Sequence, residues 1–385
     1  MEPLTFVLFG ATGDLARRKI LPALFLLYLK GVFVSGSEVV AFSRRDWSDQ
    51  EYRDFVLPVF KDEDQKKVKD FLNIVKYVSG VFEDQRGYEK LKQSIKNDHV
   101  ILHMAVRPES HIQIIHGLDK AKVKGKVLIE KPFGHDYASA DALEKELEKY
   151  VSVQNIFRVD HYLGKKGLDE VLRKRKEDVG FSSTLNKEHV ESIHFRFIES
   201  IDIEGRGEFY DSVGAVSDVG QNHLLSMVSS FFVDIKASKN VCGARAEVLK
   251  GLSVIRVIRG QYSGYVEEKN VDRDSKTETY FKVQLASQNE NWKGVPMSIE
   301  GGKALVEKRS DITIKFKDGS EYVFDIDNPK KPDAYEVILD AAIKGDDSRF
   351  VCGDEMMESW RLADEVKKRM GEVELMVYER GWNIK

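Results

Sequence analysis

Thr5-Phe-Val-Leu-Phe-Gly10-Ala-Thr-Gly13-Asp-Leu-Ala16 runs from an apolar, β-rich stretch through a glycine turn into residues of helical spacing. Thr5 to Phe9 reads as a buried parallel strand. Leu15 to Leu29 then carries apolar residues at helical spacing and ends at Gly31. Gly10 permits the tight turn, Gly13 lets a backbone approach a pyrophosphate, and Ala16 takes the third glycine's place where helix meets sheet. The helix N-terminus then faces the phosphates. Gly10, Thr12, Gly13, Asp14 and Leu15 are therefore the expected coenzyme-binding positions on this turn.

Outward from this turn the alternation continues. Strands are predicted at Glu38 to Phe42, Ile74 to Ser79, His99 to Ala105 and Lys126 to Ile129. Helices are predicted at Asp49 to Phe60, Tyr88 to Ile95 and Ser139 to Tyr150. Strands and helices in alternation specify a parallel sheet covered on both faces. At the end of the second strand stands Ser43-Arg44-Arg45. A site for NAD places a carboxylate there to bind ribose hydroxyls. A guanidinium instead pairs with a 2′-phosphate, so Arg44 points to NADP, and Thr12 can add a hydroxyl to the same phosphate.

From about His161 the pattern changes. Val190 to Phe197, Leu252 to Arg259, Lys282 to Ala286 and Ile312 to Phe316 read as longer, alternating strands. Gly214 to Phe232, Asp333 to Ile343 and Asp354 to Met370 read as helices. The expected architecture is an α/β Rossmann-type dinucleotide-binding domain over residues 1–160. An α+β domain with a large, mainly antiparallel sheet follows over residues 161–385. A length of 385 residues suits two domains at roughly 100–200 residues each.

A net charge of −4, from sixty basic and sixty-four acidic residues, gives no global reason to expect nucleic acid or an anionic membrane as partner. Any anion site must be a local cluster. The two cysteines, Cys242 and Cys352, offer no disulfide framework and no metal-ligand spacing, which points to a reducing compartment. No leader sequence or apolar span is legible, so the expected location is cytoplasmic.

Three segments carry candidate chemistry. Glu130-Lys-Pro-Phe-Gly134 follows a parallel strand, which puts Lys131 where ligands of such sheets bind. Phe157-Arg-Val-Asp160-His-Tyr-Leu-Gly-Lys165 concentrates a carboxylate, an imidazole, a phenol and an ammonium. His161, Tyr162 and Lys165 there read either as a cradle for a phosphate or as part of a charged loop at a domain junction. Asp218 to Ser226 (DVGQNHLLS) places His223 on the helix stripe of Val216, Val219 and Met227, pointing inward. An inward histidine is a base only if a carboxylate orients it, and is otherwise a core residue.

These segments, with GATGDLARRK, EGRGEFYD, GGKALVEKRSDITIKF, PDAYEVILDAAIKGD and DEMMESWRLAD, resemble the glucose-6-phosphate dehydrogenases in order and spacing. The resemblance implies oxidation of D-glucose 6-phosphate to 6-phospho-D-glucono-1,5-lactone with hydride transfer to NADP+. It implies that His223 is the general base and Asp160 its orienter. Lys131 would contact both sugar and coenzyme, and His161, Tyr162 and Lys165 would hold the 6-phosphate. Glu199 and Asp218 would bond sugar hydroxyls, Lys303 and Lys308 would add contacts, and Arg44 would take the coenzyme 2′-phosphate. It also implies a homodimer or homotetramer built through the second domain's sheet.

The chain departs from that family at KGLDE (Lys166 to Glu170), at Val106-Arg-Pro-Glu109, and at Gly220, where a larger apolar residue is usual. It is also shorter from Asp318 to Pro332 and after Arg369. Two rival readings share the first domain. One is a sugar oxidoreductase of the glucose–fructose oxidoreductase type, acting on unphosphorylated or nucleotide-linked sugars. The other is a non-catalytic NADP-binding regulator. The cluster from Asp160 to Lys165 argues against the first, and the joint presence of His223 and Asp160 against the second.

Overall fold

The computed structural model describes residues 2–234, 240–327 and 333–383. The chain divides into two compact units. The first comprises Met1–Gly134, Asp141–Gly164 and Pro332–Val351, and the second His135–Ala140, Lys165–Lys331 and Cys352–Lys385.

The first unit is built on strands β1 (Leu4–Phe9), β2 (Glu38–Ser43), β3 (Val75–Ser79), β4 (His99–Met104), β5 (Lys126–Glu130) and β6 (Ile156–Val159). Their order is β3-β2-β1-β4-β5-β6, all parallel. This is the dinucleotide-binding order, with its reversal of direction between β1 and β4. β1 and β2 are buried along their whole length, which is why they read as continuous apolar runs rather than alternating ones. The structure adds helices Gln65–Asn73 and His111–Lys120 to those expected. The first is mostly polar, with only Val68, Phe71 and Leu72 buried, so its apolar stripe is short. The chain re-enters this unit late, through helix Ala334–Lys344, whose Asp333 cap accepts from the Tyr335 amide at 2.9 Å.

The second unit holds a seven-stranded sheet. Its strands are β7 (Val190–Ile198), β8 (Leu252–Tyr262), β9 (Tyr280–Ser287), β10 (Met297–Gly302), β11 (Arg309–Phe316), β12 (Glu321–Asp325) and β13 (Leu375–Tyr378), in the order β12-β11-β7-β10-β9-β8-β13. Pairing is antiparallel except between β7 and β10 and between β8 and β13. Strands β10, β12 and β13 were not expected. β10 reads Met-Ser-Ile-Glu-Gly-Gly, and its two glycines mask it. Gly301 lies against Phe281, where an added Cβ would stand 2.7 Å from the ring, so the strand needs glycine for packing.

The long helix expected from Gly214 to Phe232 is interrupted. Gly214 has φ of 70°, outside the helical range, and closes helix Gly207–Ala215. A π-helical stretch, Val216–Leu224, then leads into helix Leu225–Phe232. Helices Lys166–Glu177 and Val241–Lys250 were also not expected.

The cysteines require a correction. Cys242, at the start of helix Val241–Lys250, forms a disulfide with Cys352, the residue before helix Gly353–Met370. They lie 110 residues apart in sequence, and only the packing of the two helices brings them together. Beside them the Arg245 Nε donates to both oxygens of Glu355 at 3.0 Å, and Ser229 Oγ donates to the same carboxylate at 2.9 Å. This satisfies a buried charge pair that would otherwise be costly. No described helix is long and apolar enough to cross a membrane.

Candidate active site

In the first unit, strands β1, β2, β3, β4 and β5 all deliver their C-terminal ends to one cavity of about 920 Å³. Its walls include Gly10, Thr12, Gly13, Asp14 and Leu15 from the first turn, with Arg44 after β2 and Lys131 after β5. Gly10 has φ of 73°, and a Cβ there would fall 2.4 Å from the Ala105 carbonyl oxygen. The turn thus runs against the chain leaving β4, and only glycine fits. The Gly13 amide donates to the Gly10 carbonyl at 2.8 Å, and the Tyr52 hydroxyl donates to the Ala11 carbonyl at 3.0 Å. This backbone is held ready for a close approach by a phosphate.

The two arginines after β2 separate. Arg44 is exposed and lines the cavity. Arg45 lies over the Trp47 ring at 4.6 Å and near Phe55 at 5.4 Å, a cation–π arrangement outside the cavity wall. Thr12 Oγ1 is 2.9 Å from Ser43 Oγ, which turns its hydroxyl toward the same strand end. Asp14 carries only an exposed pair with Arg18 at 3.5 Å, worth little. Asp160 is buried, and its Oδ1 accepts from the Tyr162 amide at 3.0 Å. Tyr162 is buried, while His161 reaches the cavity.

Two residues of this wall were not anticipated. Glu130, 6% exposed, has Oε1 at 2.9 Å from His103 Nε2, and its Oε2 accepts from the Tyr335 hydroxyl at 3.3 Å. Tyr335 also lies on the His161 ring, with centroids 5.7 Å apart and planes 13° apart. Nothing in the local sequence signals either contact, since Tyr335 stands far along the chain on an ordinary amphipathic helix.

The second unit collects the remaining expected residues in two charge clusters. Lys303 Nζ lies 2.5 Å from Glu199 Oε2 and 3.6 Å from Asp218 Oδ2, with its side chain 5% exposed. Lys308 Nζ lies 2.7 Å from Asp327 Oδ2, and Lys165 pairs with the other oxygen of the same carboxylate. Burial alone would raise the Asp327 pKa, but the bonds from Lys165 and Lys308 outweigh it and hold the group below the ordinary carboxylate range. The bond to Asp327 raises Lys308 correspondingly. Asp327 was not among the expected site residues. It lies within the stretch from Asp318 to Pro332 that reads as shortened, part of which falls outside the described residues.

His223 is 3% exposed, on the π-helical stretch, with its ring 5.8 Å from that of Phe197. The inward orientation was expected from a 3.6-residue stripe. The observed reason differs: in the wider π-turn every residue from Val219 to Leu224 is buried, whatever its polarity. Gln221 Nε2 donates to Ser359 Oγ at 2.8 Å, which ties this stretch to helix Gly353–Met370. Gly220 has a local cause too, because a Cβ there would meet the Phe281 ring at 2.9 Å.

Residues 7–169 match the family model described as glucose-6-phosphate dehydrogenase, NAD binding domain, and residues 172–331 match glucose-6-phosphate dehydrogenase, C-terminal domain. The glucose-6-phosphate 1-dehydrogenase of Kluyveromyces lactis is 30% identical, over 94% of this chain and 88% of the relative.

The chain belongs to the glucose-6-phosphate dehydrogenase family.

The glucose-6-phosphate 1-dehydrogenase of Cyberlindnera jadinii is 29% identical over the same shares. Among solved structures, a glucose-6-phosphate dehydrogenase in complex with glucose 6-phosphate superposes with a TM-score of 0.92 at 28% identity, over 100% of this chain and 96% of that one. The enzyme from Mycobacterium avium gives 0.88 at 27%, over 99% and 95%. A 3-ketoreductase from Actinomadura kijaniata, at 14% identity and a TM-score of 0.52, shares the fold alone. This glucose-6-phosphate dehydrogenase family member thus has relatives matched across both units.

Proposed function

We propose that this family member oxidises D-glucose 6-phosphate to 6-phospho-D-glucono-1,5-lactone and reduces NADP+. The observation that carries the reading is the full-length likeness to a structure solved with glucose 6-phosphate.

The first unit's cavity suits a dinucleotide. Gly10 and Gly13 open the backbone to a pyrophosphate, and Arg44 offers a guanidinium at the end of β2, where a 2′-phosphate would pair with it. When bound, the oxidised nicotinamide supplies the hydride acceptor. Lys131 is proposed to contact both sugar and coenzyme from the end of β5. His223 is the proposed base, taking the proton of the anomeric hydroxyl as hydride leaves the same carbon. An imidazole, with an unperturbed pKa of about 6.5, suits that task near neutrality. Asp160 is proposed to orient His223 and stabilise its cation. His161, Tyr162 and Lys165 are proposed to hold the 6-phosphate, joined by Lys308. Glu199, Asp218 and Lys303 are proposed to bond the sugar hydroxyls. A phosphate anchored far from the reacting carbon supplies binding energy that positions it.

Assembly as a homodimer or homotetramer through the second unit's sheet is part of the proposal. A cytoplasmic location remains part of the proposal, and the Cys242–Cys352 disulfide stands against a strictly reducing one. Absorbance of NADPH with glucose 6-phosphate, with glucose, and without sugar tests the function. Turnover should require the phosphorylated sugar and favour NADP+ over NAD+. Equal rates with free glucose would reject the reading.

A further inference from the structure

We propose that Tyr335 is a positioning residue that sets the orientation of the His161 ring toward the sugar phosphate. The inference rests on the substrate role proposed above for His161.

Two contacts converge on this side chain. Its ring stacks on His161 nearly parallel, at 13°, with centroids 5.7 Å apart. That is the offset arrangement aromatic pairs prefer. Its hydroxyl donates to Glu130 Oε2 at 3.3 Å, while Glu130 Oε1 is engaged by His103. Burial, and then the Glu130 charge, push the Tyr335 phenol well above its ordinary value, so it stays protonated and remains a donor. All of Glu130, Lys131, His161 and Tyr335 line the same cavity.

The mount of Tyr335 is rigid. It is the second residue of helix Ala334–Lys344, and its amide is capped by Asp333. The short helical turn His161–Gly164 abuts the start of that helix so closely that a Cβ on Gly164 would fall 2.5 Å from the Ala334 carbonyl oxygen. Arg349 adds a bond to the Leu163 carbonyl at 3.1 Å. The imidazole is thus held by a ring whose own backbone is fixed against the turn that carries it. An O–H···O distance of 3.3 Å is long for a hydrogen bond. The ring should therefore matter more than the hydroxyl.

Steady-state kinetics of Tyr335→Leu and Tyr335→Phe, with NADP+ dissociation constants measured without sugar, test this. Loss of the ring in Tyr335→Leu should raise KM for glucose 6-phosphate by about 3–10-fold, the scale of one aromatic pair. The NADP+ dissociation constant should stay within twofold. Tyr335→Phe keeps the ring and should restore KM to within about twofold of the parent. If Tyr335→Leu does not fold, Tyr335→Met fills the volume without a ring and replaces it. A parallel loss of NADP+ binding, equal KM effects for the Phe and Leu variants, or no effect would each overturn the proposal. The His161 ring proton shift by NMR, which should move downfield in the Leu variant and not in Phe, needs no turnover. If the parent protein fails to oxidise glucose 6-phosphate, the functional reading fails. An unmoved His161 resonance instead rejects the positioning role of Tyr335.

Discussion

Lys308 and Asp327 form an ion pair at 2.7 Å, and the carboxylate that holds Lys308 also holds Lys165. Two ammonium groups on one anion make a site whose internal carboxylate stands where an external anion would compete. Asp327→Asn should remove the shared carboxylate charge beside both lysines and tighten inorganic phosphate by about tenfold, close to 1.4 kcal/mol. Isothermal titration checks this. Weaker phosphate binding would show instead that Asp327 aligns the lysines.

Arg44 faces the cavity, and Arg45 lies on Trp47. Arg44→Ala should weaken NADP+ by roughly 1.5–3 kcal/mol, the range for a hydrogen bond to a charged group, with little change for NAD+. Arg45→Ala should alter either coenzyme far less. Fluorescence titrations of both variants with both coenzymes decide the matter. A larger NADP+ loss in the Arg45 variant would reverse the assignment.

His223→Asn should lower kcat by about 10²–10⁴-fold while sugar and NADP+ binding persist. Under the proposed roles Asp160→Asn should also lower kcat, since an amide in place of the orienting carboxylate would no longer fix or balance a charged imidazole. The double variant should be little worse than His223→Asn, as expected for groups that act together. Near-normal turnover in His223→Asn would return this histidine to the core.

Acid should destabilise the first unit through His111, which is fully buried. Burial lowers its pKa from 6.5 to about 4. The unfolded state therefore binds the proton more readily. The stabilisation is fully present above pH 6.5 and is lost as pH falls toward 4. It amounts to on the order of 3 kcal/mol. Urea unfolding between pH 4 and pH 7 should show this slope, and His111→Phe should flatten it. An unchanged slope would place the acid sensitivity elsewhere.

The first unit was largely legible because its signals are local. β1, the Gly10 turn and the arginines after β2 follow one another within a single strand–turn–helix repeat. The second unit was harder, for physical reasons. β10 is glycine-rich so that Gly301 can admit Phe281, and β12 is only five residues long. His223 was rightly expected to be buried, yet the π-helical stretch that buries it has no sequence period to read. Asp327, Tyr335 and the Cys242–Cys352 bond all depend on residues that meet only after the chain has folded over long distances.

The first unit also has an order of completion written into it. Its sheet is finished at β6, but helix Ala334–Lys344, which brings Tyr335 to the cavity wall, is made only after the second unit's strands β7 to β12. At ribosomal speeds of about 5–20 residues per second, the cavity wall waits on the order of 10–40 s for its last side chain. A nascent chain can therefore form the glycine turn and its parallel sheet well before Tyr335 is made to stack on the His161 ring. During synthesis, coenzyme-binding competence would precede sugar competence.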